Sequence, residues 1–152
     1  MPLQSALFPY LTVSDGAAAI EFYKKAFGAE EHSRHHMPGS TKIMNAQLSI
    51  NGNQFMLADD FAQEMNRKPS TPEALGGTSV MLSLISTDVD ADWERAVAAG
   101  ATVTMPLKDQ FWGDRWGSIK DPFGHGWSIS QPIATLSPDE VAARAEKVGF
   151  KV

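Results

Sequence analysis

The sequence repeats one pattern of structural signals twice, and this repeat restricts the fold more than any other feature. In the first copy, the apolar run "LFPYLTV" is followed by Asp15, a stretch with apolar residues at helical spacing, and Gly28. In the second copy, "VMLSLIS" is followed by Asp88, a similar stretch, and Gly100. Aspartate is a good helix N-cap and glycine a common helix terminator. Each copy therefore predicts a strand followed by a helix.

A β-hairpin signal follows each predicted helix. Asn51-Gly52 separates "KIMNAQLSI" from "QFMLA", and both turn positions tolerate a positive φ. The sequence "DPFG", residues 121–124, separates "WGSIK" from "GWSIS" and has the proline and glycine positions of a type I turn. With one extended segment before each hairpin, both copies predict the order strand, helix, strand, strand, strand.

These signals predict a single α+β domain over residues 1–152, a usual length for one hydrophobic core. Module 1 covers about residues 5–60, and module 2 covers about residues 78–131. The segment at about 61–77 contains two prolines and a Gly-Gly pair and is predicted to be a linker. Residues 137–149 are predicted to form a C-terminal helix, with Ser137 as its N-cap and Pro138 in its first turn.

Composition excludes several classes of function. The formal charge is −5 and no basic run is present, which argues against nucleic acid and membrane partners. The chain has no cysteine, so disulfides and thiolate chemistry are excluded. No segment approaches the ~20 apolar residues of a transmembrane helix, and the N-terminal apolar run is interrupted by Pro9. We expect a cytoplasmic protein whose partner is a small molecule or another protein.

Two segments resemble a known group of proteins. "YLTVSDGAAAIEFYKKAFGAE" near the start and "DQFWGDRWGSIKDPFGHGWSI" near the end are similar to the vicinal oxygen chelate superfamily, which includes glyoxalase I, bleomycin-resistance proteins and extradiol dioxygenases. The "GDR-G-DPFGH-W" pattern resembles its PhnB-like branch. The resemblance implies two βαβββ modules whose curved mixed sheets surround a concave cavity, with helices on the outer faces. It also implies a homodimer.

The resemblance further implies where a catalytic metal would bind. Its four ligand positions correspond to Phe8, Met56, Met81 and Ser128, and none of these is His, Asp or Glu. A divalent transition metal needs imidazole or carboxylate donors. We therefore expect no metal and no cofactor, and a small organic ligand that is bound rather than transformed. The alternative is a metal-dependent lyase, isomerase or dioxygenase that uses atypical ligands such as Asn45, Gln47 or the histidines.

The period of two along each strand gives an independent prediction of the pocket. Alternate residues face the helices, so their neighbours face the cavity. With Trp112 added from its loop position, the predicted ligand-binding residues are Phe8, Tyr10, Asn45, Gln47, Met56, Met81, Ser83, Trp112, Trp116, Ser118 and Ser128. Rings, thioethers, amides and hydroxyls together are typical of a pocket for an organic ligand. Phe8, Met56 and Met81 could instead be ordinary core residues.

Other residues of the closing segment have structural interpretations. Trp127 is expected to pack under a helix, and Gly117 and Gly126 are expected to allow close approach of backbone or rings. Asp114 and Arg115 are expected to form a local ion pair that fixes their loop, or, as the alternative, to contact the ligand.

Three rival sites are also present. His32, Arg34 and His36 are expected on one face of an edge strand, which provides only part of a metal site. His125 is expected in a turn, exposed to solvent, and acts as an acid or base only if it turns toward the cavity. Asp59 and Asp60 follow a strand end and are expected to cap the linker.

Overall fold

The computed structural model describes residues 6–150 as eight strands and four helices. The strands are β1 (Tyr10–Val13), β2 (Glu30–His36), β3 (Ile43–Ile50), β4 (Asn53–Asp59), β5 (Met81–Ile85), β6 (Thr102–Asp109), β7 (Asp114–Lys120) and β8 (Gly126–Pro132). The helices are α1 (Gly16–Phe27), α2 (Pro72–Leu75), α3 (Val89–Ala98) and α4 (Pro138–Lys147). Among the described residues, no helix is both long enough and apolar enough to span a bilayer.

The strands form two four-stranded mixed sheets with the same topology. The first sheet has the order β1-β4-β3-β2 and the second has the order β5-β8-β7-β6. In each sheet the first strand is parallel to its neighbour, and the other neighbours are antiparallel. This confirms the α+β class and the doubled βαβββ arrangement predicted from the repeat.

Local signals determine the ends of the helices. Asp15 Oδ1 accepts a hydrogen bond of 2.9 Å from the Ala18 amide, and Gly28 adopts a left-handed conformation with φ of 65°. Asp88 caps α3 in the same way, although α3 ends at Ala98, just before Gly100. The predicted N-caps of both helices are therefore confirmed.

Both hairpin turns form where predicted. Asn51 and Gly52 have positive φ values of 50° and 78°, which the asparagine-glycine pair tolerates at little cost. In the "DPFG" turn the Gly124 amide donates to the Asp121 carbonyl oxygen over 3.1 Å. Short-range chemistry alone specifies these two connections.

Two elements differ from or refine the predicted boundaries, and a third starts where predicted. The first strand begins at Tyr10 rather than Leu7. Leu7 is 95% exposed, and Pro9 has no amide hydrogen to donate to a neighbouring strand. The linker contains the short helix α2, capped by the Thr71 side chain. The C-terminal helix starts as predicted, with a reciprocal capping box between Ser137 and Glu140.

The two modules share one hydrophobic core. Helices α1 and α3 pack against each other, and residues from both sheets join the same apolar cluster. The Trp127 ring centre lies 4.6 Å from that of Phe27 and 5.4 Å from that of Tyr23, which confirms that Trp127 packs under a helix. Each sheet thus has a helix-side face in the core and an opposite face, which we call its open face.

Of the two glycines expected at close contacts, only one has that role. A Cβ atom on Gly117 would lie 2.6 Å from Cζ3 of Trp93 and 2.9 Å from the Leu107 Cα, so no side chain fits there. At Gly126 nothing lies within 4 Å, and that part of the prediction is wrong.

A buried carboxylate joins the modules. Asp121 Oδ2 accepts hydrogen bonds from the Tyr23 hydroxyl (2.6 Å) and from Trp127 Nε1 (2.9 Å). Its Oδ1 accepts from the Phe123 amide (2.9 Å) and the His125 amide (3.0 Å). Burial raises the pKa of the Tyr23 hydroxyl well above its ordinary value of 10, and the adjacent Asp121 carboxylate raises that pKa further. Asp121 therefore fixes the second hairpin against α1 of the first module.

Candidate functional site

The open face of the first sheet carries a small polar group beside apolar side chains. Strand register places Tyr10 opposite Met56, and Met56 opposite Gln47. Asn45 Nδ2 donates to the Tyr10 hydroxyl (3.1 Å) and approaches Met56 Sδ (3.6 Å), while the Tyr10 hydroxyl donates to the Met44 carbonyl (3.1 Å). The four residues predicted from this sheet are thus brought together on one surface.

The open face of the second sheet carries a row of hydroxyl groups across all four strands. Ser83 and Ser118 both lie opposite Ser128 in the strand register. Ser128 Oγ donates to Ser83 Oγ over 2.9 Å, and Thr104 Oγ1 lies 2.7 Å from Ser118 Oγ. Ser118 and Ser128 are 2% and 1% exposed, so their hydroxyls are covered, whereas Ser83 and Thr104 at the ends of the row are exposed. The sequence does not indicate Thr104, because the register of β6 is irregular and its side chains do not follow a simple alternation.

The predicted tryptophans form an aromatic group at one end of the second sheet. The ring centres of Trp112 and Trp116 are 5.9 Å apart, with the planes at 71°. Phe111 contacts Trp112 at 5.1 Å and Phe150 at 5.3 Å, so the C-terminal residues extend the group. Ile119 is buried in the core, which confirms that Trp116 lies on the opposite face. No local signal in the sequence relates Phe150 to the β6–β7 loop.

Two of the predicted residues lie at the junction of the modules. Phe8 and Ser83 both line a cavity of about 560 Å³ between the segment before β1, the β3–β4 hairpin and β5. Tyr10 and Met81 are each 50% exposed. Exposed apolar side chains thus lie on the open faces of both sheets.

The expected Asp114–Arg115 ion pair is wrong. Asp114 Oδ2 instead accepts from Trp112 Nε1 over 3.1 Å. Arg115 pairs with Asp90 of α3 (2.8 Å) and Asp109 of β6 (3.0 Å), and these carboxylates raise the pKa of its guanidinium. Consecutive strand residues point to opposite faces, so Arg115 reaches the helix side while Asp114 does not. Asp114 fixes Trp112, and Arg115 joins β6 to α3.

The histidine arrangement on β2 also differs from the prediction. A register shift between Glu31 and Ser33 interrupts the alternation. His32 Nε2 lies 2.7 Å from Ser49 Oγ, whereas Arg34 forms an ion pair with Glu31 at 2.7 Å. Glu31 in turn contacts Lys24 of α1 at 2.7 Å, which places Arg34 on the helix side. His32 and Arg34 do not share a face.

The other rival residues have structural roles. His125 is half-buried rather than solvent-exposed, and its Nε2 donates to the Thr12 carbonyl oxygen over 2.8 Å. Asp60 caps the linker as expected, because it accepts from the Ala62 amide (2.9 Å) and the Ser70 amide (2.7 Å). Asp59 does not cap it, and instead accepts from the amides of Gly16 and Ile43, each at 2.7 Å.

The residues at the four metal-ligand positions implied by the resemblance do not fit a divalent metal. Phe8 has no donor atom, and Met56 and Met81 offer only thioethers. Ser128 offers one hydroxyl, which already donates to Ser83. Within residues 6–150, no three His, Asp or Glu side chains lie close enough together to hold a metal ion. The chemistry of these side chains does not match the usual metal centre.

Comparison with known proteins agrees with this architecture. Residues 5–129 match the model of the Glyoxalase/Bleomycin resistance protein/Dioxygenase superfamily, and the chain belongs to that family. An uncharacterized protein of Mycobacterium bovis is 49% identical over 148 residues, covering 97% of this chain and 96% of the relative.

Two solved structures illustrate the similarity of fold. TioX from Micromonospora is 26% identical, with a TM-score of 0.62 over 88% of this chain and 100% of TioX. The PhnB protein from Bacillus cereus is 19% identical, with a TM-score of 0.64 over 84% of this chain and 99% of its own. The PhnB comparison concerns the fold alone.

Proposed function

We propose that this protein binds a small organic ligand on the open faces of its two sheets, without a metal ion. One observation supports this most directly: each open face carries a preorganised polar group next to large, partly exposed apolar side chains. On the first sheet these are the Asn45–Tyr10 pair and Met56. On the second they are the Ser83–Ser128 pair and Trp116. Ligand pockets typically combine an apolar lining with a few positioned polar groups.

The polar groups retain capacity for further hydrogen bonds. A hydroxyl has one donor and two acceptor positions, and Ser83 uses one acceptor position for Ser128. Asn45 still offers its carbonyl oxygen, because only its Nδ2 is engaged. Rings and thioethers beside these groups favour a partly apolar ligand with hydrogen-bonding substituents.

A binding protein agrees better with the side chains than a metal enzyme with atypical ligands. Among the atypical donors, the Nδ2 of Asn45 is bonded to Tyr10, His32 lies against Ser49, and His125 donates to a backbone carbonyl. Elemental analysis of natively purified protein is expected to find no stoichiometric zinc, nickel, manganese or iron. One tightly held metal per chain, lost on Asn45→Ala or His32→Ala substitution, would support the enzyme instead.

We further propose that two copies associate and bring open faces together. Tyr10 and Met81 are half-exposed apolar surfaces, and β1 and β5 are edge strands with unpaired backbone groups on one side. Covering these surfaces would enclose the site and exclude water from it. Light scattering is expected to give about twice the 16.5 kDa mass of one chain. A mass of a single chain at micromolar concentration would contradict the dimer.

The ligand experiment is a fluorescence screen of a mixed apolar and polar compound library. Trp116→Ala is expected to weaken the binding of the compounds found in the screen by about 1–3 kcal/mol, because the ring lies beside the hydroxyl row. Trp93→Phe on the helix side is the matched control and is expected to leave affinity unchanged. Equal affinity of wild type and Trp116→Ala would contradict the site. Chemical turnover of a hit would identify an enzyme rather than a binder.

A further inference from the structure

The linker forms part of a second pocket that lies within the first module. Residues 61–67 lie beside the open face of the first sheet, and a pocket of about 510 Å³ that is largely open to solvent lies between them. This volume lies within the range of small-molecule sites. The side chains that determine its chemistry are Tyr10, Met37 and Met44 from the sheet side and Phe61, Met65 and Arg67 from the linker.

The linker is held against the sheet by specific contacts. Lys42 Nζ donates to the Asp60 carbonyl oxygen over 3.3 Å and to the Glu64 carboxylate, and it lies 5.3 Å from the Phe61 ring centre. The Asp60 carboxylate accepts from amides at both ends of the turn, as described above. The backbone after Phe61 is closed by a hydrogen bond of 2.9 Å from the Met65 amide to the Phe61 carbonyl. This wall is therefore built into the fold.

The charged groups around this pocket are already paired. Both oxygens of Asp59 accept backbone hydrogen bonds, and the Glu64 carboxylate is bonded to Lys42. Arg67 lies 3.6 Å from Asp60. A charged ligand would have to compete with these pairs, whereas a neutral ring would meet polarisable thioethers and two aromatic rings. Sulfur–aromatic contacts and ring packing both favour a planar partner.

We propose that this linker pocket is a binding site for a neutral aromatic compound. It is complete in one chain and uses no residue of the second sheet. It adjoins the first-sheet part of the site proposed above and shares Tyr10 with it, but it needs neither the second sheet nor a second copy of the chain. Binding in the linker pocket can therefore be tested without Trp116 and the rest of the second sheet.

The methionines allow a direct test by oxidation footprinting. Met44 and Met65 are 44% and 66% exposed in the linker pocket, while Met81 and Met105 are 50% and 51% exposed on the second module. N-phenyl-1-naphthylamine, a neutral two-ring fluorescent probe, is added before limited peroxide treatment, and sulfoxide is measured at each methionine by mass spectrometry. Protection of Met44 and Met65, with Met81 and Met105 unchanged, is the expected result. Protection at Met81 or Met105 alone, or at no methionine, would overturn the linker-pocket proposal.

A related probe tests the preference for a neutral ligand. 8-Anilinonaphthalene-1-sulfonate has the same aromatic framework with one negative charge. It is expected to bind roughly tenfold more weakly than the neutral probe, because no unpaired cation lines the pocket. Equal or tighter binding of the sulfonate would contradict the proposed ligand class.

Substitutions identify the contribution of the linker wall. Lys42→Met keeps the aliphatic stem but removes the contacts to Asp60 and Glu64. It is expected to weaken the binding of the neutral probe roughly tenfold. Lys25→Met, at an exposed position of α1, is the matched control and is expected to leave the affinity unchanged. Phe61→Ala removes one ring of the wall directly and should also weaken the probe, even if Lys42→Met does not fold. Unchanged affinity in the folded variants would overturn the proposal.

Discussion

The contact between Tyr23 and Asp121 offers the sharpest test of how the modules are joined. Tyr23→Phe removes a single hydroxyl that donates over 2.6 Å to a buried carboxylate. The phenyl ring can keep its packing against Trp127 and Phe55, so the hydrogen bond is the main loss. Three other donors to Asp121 remain. The substitution should weaken the fold without abolishing it.

The expected cost follows from the type of hydrogen bond. Hydrogen bonds to charged groups contribute about 1.5–3 kcal/mol, and the site is fully buried. For a chain of this length that loss corresponds to a melting temperature about 4–10 °C lower. Tyr10→Phe is the matched control, since the chain has only two tyrosines and Tyr10 is half-exposed. The control should lose clearly less stability.

The same contact predicts a dependence on alkaline pH. The pKa of Tyr23 is raised in the folded protein, first by burial and then by Asp121. Its stabilising contribution is therefore complete below pH 10, the ordinary tyrosine value, and declines as pH rises above it. From pH 10 upward this group lowers the free energy of unfolding of the wild type by up to about 1.4 kcal/mol per pH unit. Tyr23→Phe lacks the group and does not show this decrease.

Urea denaturation followed by circular dichroism at pH 8 and pH 11 measures both effects. The stability difference between wild type and Tyr23→Phe should narrow by roughly 1 kcal/mol at the higher pH. A constant difference would refute the reasoning about the raised pKa. A loss no greater than that of Tyr10→Phe at pH 8 would refute the role of the hydroxyl.

Two further predictions concern packing and capping. Gly117→Ala should lower the free energy of unfolding by about 2–4 kcal/mol in thermal denaturation, because the new Cβ would overlap Trp93 and the Leu107 backbone. Gly126→Ala, whose Cβ would meet nothing within 4 Å, should be nearly neutral. Similar losses of stability in both variants would contradict the assigned contact. Ser137→Ala should destabilise α4 by about 1 kcal/mol and speed amide hydrogen exchange within that helix alone. Unchanged exchange in α4 would show that the cap does not stabilise the helix.

The sequence determined those features that depend on neighbouring residues. Helix caps at Asp15 and Asp88, the Asn51-Gly52 turn and the burial of Ile119 were all predictable, because each depends on chemistry within a few positions or on a strict period of two. The period of two predicted the wrong face for Arg34 relative to His32, because one bulge in β2 reverses the faces of the residues that follow it.

Tertiary structure alone decided which distant groups meet. Tyr23 and Asp121 are 98 positions apart, and nothing near either residue specifies the other as its partner. Arg115 likewise pairs with Asp90, 25 positions away, instead of its neighbour Asp114. The linker, whose prolines predicted only a connection, became a pocket wall because Lys42 and Asp60 hold it against the first sheet. Such contacts follow from the packing of whole elements, which local propensity does not encode.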